Sequence, residues 1–268
     1  MTSRAIHLLS LSFSLLSLLG LSAYATSVNL GTAGNYSVLA GSTVTNTGSS
    51  VLGGDLGVWP GTAVTGFPPG MVTGGTINAG NAAALTAESD LTTAYNSAKG
   101  LTRTATLTGQ NLGGMTLTPG VYFFASSAQL TGALTLNPLG NPNAVFVFQI
   151  GSTLTTASSS SVIFTNSLSD SNVYWQVGSS ATLGTGTTFA GNILALTSIT
   201  LTTGATIGCG SALAINGAVT LDSNVIGGGC SSGGGGGGTT TVPEPGTLGL
   251  LGTGLALLAG VGRRRLRI

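Results

Sequence analysis

Along most of this chain, short runs rich in Thr, Val, Ile and Leu are broken by Gly, Asn, Ser or Pro. That punctuation predicts strands rather than helices. One segment has a different period. From Asn81 to Lys99 the apolar positions are Ala84, Ala87, Leu91, Ala94, Tyr95 and Ala98, which is helical spacing. A single helix is expected over about residues 79–99, with one alanine-rich face laid against the strands. Asn78 or Asn81 can cap its start, Glu88 and Asp90 lie toward that end, and Gly100 can stop it. Residues Leu101 to Leu112 read as a loop.

The strand pattern repeats. Aligned on one leucine, the repeats read Ala-Gln-Leu130, Ser-Thr-Leu154, Ala-Thr-Leu183, Ile-Thr-Leu201 and Val-Thr-Leu221. A short unit with occasional insertions is the signature of a solenoid. Units near 20 residues suit one coil of a parallel β-helix, with about three short strands per coil stacked at roughly 4.8 Å. The five leucines are then expected to form an internal ladder. An up-and-down barrel would show hairpin turns at shorter intervals.

Composition narrows the chemistry. Of 268 residues, 7 are Lys or Arg and 6 are Asp or Glu, against 45 Gly and 40 Thr. Between Thr26 and Val242 the only bases are Lys99 and Arg103, and the acids are Asp55, Glu88, Asp90, Asp170 and Asp222. Two bases against five acids leave a formal charge of −3. The single histidine, His7, lies near the start. Such a body offers no basic patch to nucleic acid, no Ser-His-Asp triad and no histidine metal site. No cofactor or metal site is expected, and no enzyme. Asp55 and Asp222 are the acids to test as a glycosidase-like carboxylate pair. Phe146, Phe148, Tyr174 and Trp175 lie in strand-like runs and read as core or face-covering residues rather than a sugar platform.

Both ends read as addresses. Arg4 and His7 precede an apolar stretch, Leu8 to Leu21, followed by Ala23-Tyr24-Ala25. That order predicts a secretory signal over residues 1–25, with Ala23 and Ala25 marking the cleavage site. The alternative is an uncleaved anchor, for which the stretch is short. The body, residues 26–230, has the length of one domain. A Gly/Ser/Thr tether covers 231–241. Then come Val242-Pro243-Glu244-Pro245, an uncharged span over 246–262, and Arg263-Arg264-Arg265. As a helix that span would reach about 25 Å, enough to cross a bilayer, with the arginines left on the cytoplasmic side. This tail resembles the PEP-CTERM sorting signal of Gram-negative bacteria. The resemblance implies a transient inner-membrane anchor, processing by an exosortase, and delivery to the cell surface or extracellular matrix. A permanent anchor is the other reading of the tail. Cys209 and Cys230 are the only cysteines. In an exported chain they are expected to form a disulfide, closing a loop worth about 3 kcal/mol if unstrained.

The body itself resembles a known family. Gly31-Thr32-Ala33, Thr43-Val44-Thr45-Asn46-Thr47-Gly48 and Gly54-Asp55-Leu56-Gly57-Val58 are similar to stretches of the DUF3494 family of ice-binding (antifreeze) proteins. So are Val145-Phe146-Val147-Phe148-Gln149-Ile150, Asn172-Val173-Tyr174-Trp175-Gln176-Val177 and Asn216-Gly217-Ala218-Val219-Thr220-Leu221-Asp222. The likeness covers nearly the whole body, in order. It implies an all-β solenoid: a discontinuous three-faced parallel β-helix with one α-helix packed alongside. The chain departs from the family at Ile207-Gly208-Cys209-Gly210-Ser211 and at Ser223-Asn224-Val225.

The resemblance also implies a function: a monomer that adsorbs to an ice crystal through a flat, neutral, Thr-rich face and blocks its growth. Threonine suits such a face because its β-branch restricts χ1, holding hydroxyl and methyl in place. Thr-Ala/Gly-x-Thr patterns start at Thr62, Thr73, Thr185 and Thr203. The expected ice-contact residues are Thr62, Thr65, Thr155, Thr185, Thr187, Thr203, Thr206 and Ser223. Residues three apart on a straight strand point to opposite sides. Either a corner falls inside each motif, or only one Thr of each pair faces out. The alternative function is a surface or matrix adhesin on the same solenoid, with extracellular polysaccharide as a possible ligand.

Overall fold

The computed structural model describes residues 28–165 and 172–227. Among these, 24 short parallel strands wind into a three-sided solenoid. The chain enters through a 3-10 turn, Gly31–Asn35. The first coil is β1 (Tyr36–Ala40), β2 (Thr43–Thr47) and β3 (Val51–Leu52), and the second is β4 (Asp55–Val58), β5 (Ala63–Thr65) and β6 (Met71–Val72). After β7 (Ile77–Ala79) comes the helix α1 (Ala82–Gly100), then β8 (Ala105–Thr106) and β9 (Thr116–Leu117).

Five full coils follow. They are β10 (Gly120–Phe124), β11 (Ala128–Leu130), β12 (Ala133–Leu136); β13 (Phe146–Ile150), β14 (Leu154–Thr156), β15 (Ser161–Phe164); and β16 (Val173–Val177), β17 (Ala181–Leu183), β18 (Thr188–Phe189). The last two are β19 (Asn192–Ala195), β20 (Ile199–Leu201), β21 (Thr206–Ile207) and β22 (Ala212–Ala214), β23 (Val219–Asp222), β24 (Val225–Ile226).

The stacking order is not the chain order. Sheet A runs β7-β4-β1-β22-β19-β16-β13-β10-β8, so the first coil sits directly on the last. Sheet B runs β11-β14-β17-β20-β23-β2-β5, and sheet C runs β6-β3-β24-β21-β18-β15-β12-β9. The helix makes this discontinuity possible. Its 19 residues extend about 28 Å, the rise of about six rungs. It therefore carries the chain from β7 back toward β13, whence the remaining coils climb to meet the first.

The inner strands of sheet A, such as β13 and β16, are buried on both faces, which is why they read as apolar runs broken only by a glutamine. Inward, the rings of Tyr122, Phe148 and Trp175 stack and Phe189 tilts against the last, with successive centroids 5.6, 3.8 and 4.8 Å apart. The Trp175 indole nitrogen donates to the Ala190 carbonyl at 3.0 Å. Outward, Leu39, Val147, Tyr174, Leu194 and Leu213 meet Ala87, Leu91, Ala94 and Ala98 of α1. The aromatic residues singled out above are accordingly core and helix-covered positions.

Polar side chains lock the helix in place. Asn81 caps it, its Oδ1 accepting from the Ala84 amide at 3.0 Å, while Asn78 supports Asn81 at 2.9 Å. Asp90 Oδ2 accepts from both the amide and the hydroxyl of Thr32, each at 2.7 Å. Gly31 sits against that carboxylate at φ 53°, and a Cβ there would fall 2.5 Å from Asp90 Oδ2. At the other end, Gln149 Nε2 donates to the carbonyls of Ala98, Lys99 and Leu101. Gln176 pairs in register with Gln149 and hydrogen-bonds Tyr95. These contacts account for several of the motifs that carry the family resemblance.

Two expectations need correction. The stretch from Leu101 to Leu112 is not all loop, since β8 pairs with β10 and Asn111 bridges to Gln129. The leucine ladder also breaks at one rung. Leu154 is in register with Ala128 and Ala181, two residues from its expected place. The rung beside Leu130 is occupied instead by Thr156, buried at 3% exposure. Its hydroxyl lies 2.8 Å from that of Thr187 and accepts from the Gly184 amide at 2.9 Å. A threonine is tolerated inside because each polar atom is satisfied.

Candidate functional site

In β11, β14, β17, β20 and β23 of sheet B an outward residue stands between two inward ones, and β2 and β5 continue the alternation. In register these are Gln129, Thr155, Thr182, Thr200, Thr220, Thr45 and Thr65, in that spatial order. Six threonines thus stand side by side along about 24 Å at strand spacing. The row crosses the junction between the last coil and the first, so its order cannot be read along the chain. Two residues earlier on each strand runs a second row: Ser127, Thr153, Ser180, Ser198, Ala218, Thr43 and Ala63. All seven are small.

The two rows differ in hydrogen bonding. In the second, Thr153 donates to Ser127 at 2.8 Å, and Ser180 and Ser198 accept from backbone amides of the next coil. In the first, none of the six threonine hydroxyls bonds another protein group among the described residues. Exposed hydroxyls without an internal partner are held at fixed χ1 and must bond solvent. Sheet B therefore offers an ordered water-binding row flanked by methyls.

Charge is kept away from it. Asp55, Glu88, Asp90, Lys99 and Arg103 all lie on sheet A, on its helix or in the segment joining them. Arg103 stacks on Phe123, 3.3 Å from the ring centroid. Among the described residues Asp222 is the exception, at the end of β23. Its carboxylate is tied down by the Thr203 hydroxyl at 2.5 Å and the Ser223 hydroxyl at 3.2 Å. Asp55 accepts from the amide and hydroxyl of Thr76. The two acids belong to different sheets, so the carboxylate pair considered above does not assemble.

The expected contact residues scatter. Thr65 and Thr155 are in the first row of sheet B. Thr62 is exposed in the turn leading into β5. Thr185 and Thr203 lie at the corner between sheets B and C, where Thr185 bonds Thr202 at 3.3 Å. Ser223 is in the same corner at φ 53°. Thr206 faces out from sheet C, beside Thr188 and Val225. Thr187 does not face out: it is fully buried, its hydroxyl turned to Thr156 and the Ala157 carbonyl. The parity problem resolves at Thr185 and Thr203, where a corner falls inside the motif at Gly186 and Gly204, both at positive φ.

Thr45, Thr182, Thr200 and Thr220 stand in the same row but outside the expected set. For the last three the signal is in the repeat, because the residue before the repeat leucine has the opposite parity and faces out. Sheet C makes a poorer candidate. Its outward row runs Ala133, Ser161, Thr188, Thr206, Val225, Val51 and Met71, mixing hydroxyls with exposed apolar side chains.

Several expectations lie outside the described residues: the signal and its site at Ala23 and Ala25, Asp170, Cys230, the tether, and the tail with Pro243, Glu244, Pro245 and Arg263 to Arg265. Cys209 itself is buried at 9% exposure.

A discontinuous three-sided parallel solenoid with a helix along one sheet and a neutral threonine row on another defines a narrow class. Residues 38–227 match the model of the Ice-binding-like family, and the chain belongs to that family. Residues 241–265 match the PEP-CTERM protein-sorting motif. An ice-binding protein of Nostoc sp. (strain HG1) is 58% identical over 239 residues, covering 89% of this chain and 87% of the relative. Among solved structures, an ice-binding protein from an Antarctic biological consortium superposes with a TM-score of 0.72 at 49% identity, covering 75% of this chain and 90% of the other. One from the ascomycete Antarctomyces psychrotrophicus gives 0.72 at 43% identity, covering 75% and 98%.

Proposed function

We propose that this chain is an exported ice-binding protein that adsorbs to ice through sheet B. The contact is the row Thr155, Thr182, Thr200, Thr220, Thr45 and Thr65, with the small residues of the second row beside it. The observation that supports this reading is the set of six registered threonine hydroxyls with no protein partner among the described residues. Held on a rigid strand grid, they order water with little entropy left to lose, the logic of preorganisation. Many weak contacts made together then anchor the protein, and growth between adsorbed molecules stops. No bond is made or broken.

The two ends complete the reading. The leader is cut after Ala25, and the tail holds the chain at the inner membrane of a Gram-negative cell until an exosortase removes it. A disulfide between Cys209 and Cys230 closes the last coil before the tether. The mature protein then works as a monomer at the cell surface or in the matrix.

The test is thermal hysteresis with recrystallisation inhibition on the purified protein. Thr200→Tyr, in the middle of the row, should abolish most of the freezing gap, whereas Thr188→Tyr on sheet C should leave it near wild type. Equal activity for both variants would move the contact off sheet B, and round crystals from folded wild type would reject ice binding.

A further inference from the structure

The threonine row is made from two parts of the chain. Thr155, Thr182, Thr200 and Thr220 follow α1 in sequence, whereas Thr45 and Thr65 precede it. The parts meet at one seam, where β2 lies on β23 with Thr45 beside Thr220 and Thr47 beside Asp222. Every other junction between neighbouring full coils is also joined by the chain itself. The seam has no such link among the described residues, so noncovalent contacts alone fix its level. At the corner where sheet B turns into sheet C, two fully buried polar residues fasten it: Ser50 after β2 and Asn224 after β23.

Asn224 is bonded to three coils at once. Its backbone amide donates to Ser50 Oγ at 2.9 Å and its carbonyl accepts from the Val51 amide at 2.8 Å, both in the first coil. Its Nδ2 donates to the carbonyls of Thr202 and Ala205, each at 2.9 Å, in the corner between β20 and β21. Its Oδ1 accepts from the Asp222 amide at 2.6 Å in its own coil. A short planar amide, with two donors and an acceptor, meets this set; aspartate lacks the donors and leucine offers neither. Beside it the Ser223 amide donates to the Thr47 carbonyl at 2.9 Å. The line continues into the second coil, where the Met71 amide donates to the Ser50 carbonyl at 2.8 Å. One run of hydrogen bonds thus links the four coils that carry Thr200, Thr220, Thr45 and Thr65.

We propose that Asn224, with Ser50 as its partner across the seam, is a positioning residue for ice contact: it holds Thr45 and Thr65 level with Thr200 and Thr220, so that both parts of the row meet the crystal as one face. The inference rests on the ice-contact reading above. A crystal surface is a rigid template, and weak contacts that are out of line with it cannot be made together. Strand pairing at the seam is short, four residue pairs in sheet B and two in sheet C. Side-chain bonds at the corner between those sheets therefore add most where the ladders are thinnest.

The experiment compares Ser50→Ala, which removes the acceptor of the Asn224 amide, with Thr187→Val, which breaks a buried hydroxyl bond between coils that the chain itself joins. Thermal hysteresis is measured at equal folded concentration, well below both unfolding midpoints, together with amide exchange by NMR. Ser50→Ala should lose a large part of the hysteresis. Its Val51 and Ser223 amides, which cross the seam, should exchange about tenfold faster, the factor for one lost buried bond. Thr187→Val should keep both at wild-type level. A double-variant cycle reads the positioning itself. Thr45→Val lowers the hysteresis of wild type but should change that of Ser50→Ala little, whereas Thr182→Val should remove a similar fraction in both. Asn224→Leu, which strands the Thr202 and Ala205 carbonyls, should act like Ser50→Ala; the milder serine change carries the test if the leucine variant does not fold. Wild-type hysteresis in folded Ser50→Ala, or an equal loss in Thr187→Val, would overturn the positioning role and leave ice contact standing. Round crystals from folded wild type would overturn the ice reading and this role with it.

Discussion

Gln149 hangs from the open end of the helix: its Nε2 lies 2.9 Å from the Ala98 carbonyl and 2.9 Å from that of Leu101. The last carbonyls of a helix have no partner within it, and this side chain, projecting from the middle of sheet A, collects them. A glutamine in the middle of Phe-Val-Phe-Gln-Ile thus does what a C-terminal cap would otherwise do. Gln149→Leu keeps the size and removes the donors, leaving buried carbonyls unsatisfied. A loss of about 1–3 kcal/mol is expected in chemical denaturation. Amide exchange should accelerate in the last turn of α1 ahead of the rest.

Glu88 sets a pH dependence of stability. Burial raises its folded pKa to about 8, above the unfolded value near 4.5. Below the unfolded pKa both states hold the proton and there is no penalty. As pH rises from about 4.5 to 8 the unfolded chain ionises while the native acid does not, so stability falls and then levels. The total is on the order of a few kcal/mol. Glu88→Gln should be more stable than wild type at pH 8 and similar at pH 4. Its unfolding midpoint should change less with pH between those values.

On the threonine row, hydroxyl and methyl can be separated. Thr200→Ser keeps the donor and frees χ1, while Thr200→Val keeps the shape and removes the donor. Both should lower thermal hysteresis without changing the unfolding midpoint by more than about 1 kcal/mol, because the side chain faces solvent. A valine variant with full activity would show that the hydroxyl at that rung contributes nothing.

The buried pair Thr156 and Thr187 should behave differently. Thr187→Val removes one of the two partners of the buried Thr156 hydroxyl, leaving only the Gly184 amide, and should cost about 1–2 kcal/mol. Replacing both should cost less than the sum of the single changes, since the orphan goes with its partner. Folded molecules of either variant should retain ice activity at wild-type level, which the same change at Thr182 would not allow.

How much of this was legible beforehand depends on range. The helix was readable, and its cap narrowed to Asn78 or Asn81, because both depend on neighbours three and four residues away. The coil repeat was readable because a two-residue alternation needs only the next side chain. From that alternation alone, the threonine before Leu183, Leu201 or Leu221 had to point outward.

What tertiary structure alone decided was which rungs become neighbours. Thr220 and Thr45 are adjacent because the first coil stacks on the last, a contact spanning 175 positions of chain. No local pattern encodes that closure; it follows from a helix about as long as the stack of coils it bypasses. Register at Thr156 was hidden for a similar reason. Its burial is tolerated only because Thr187, thirty-one residues on, arrives at the same corner with a matching hydroxyl. Short-range periodicity determined the coil, while long-range hydrogen bonding and packing determined the face.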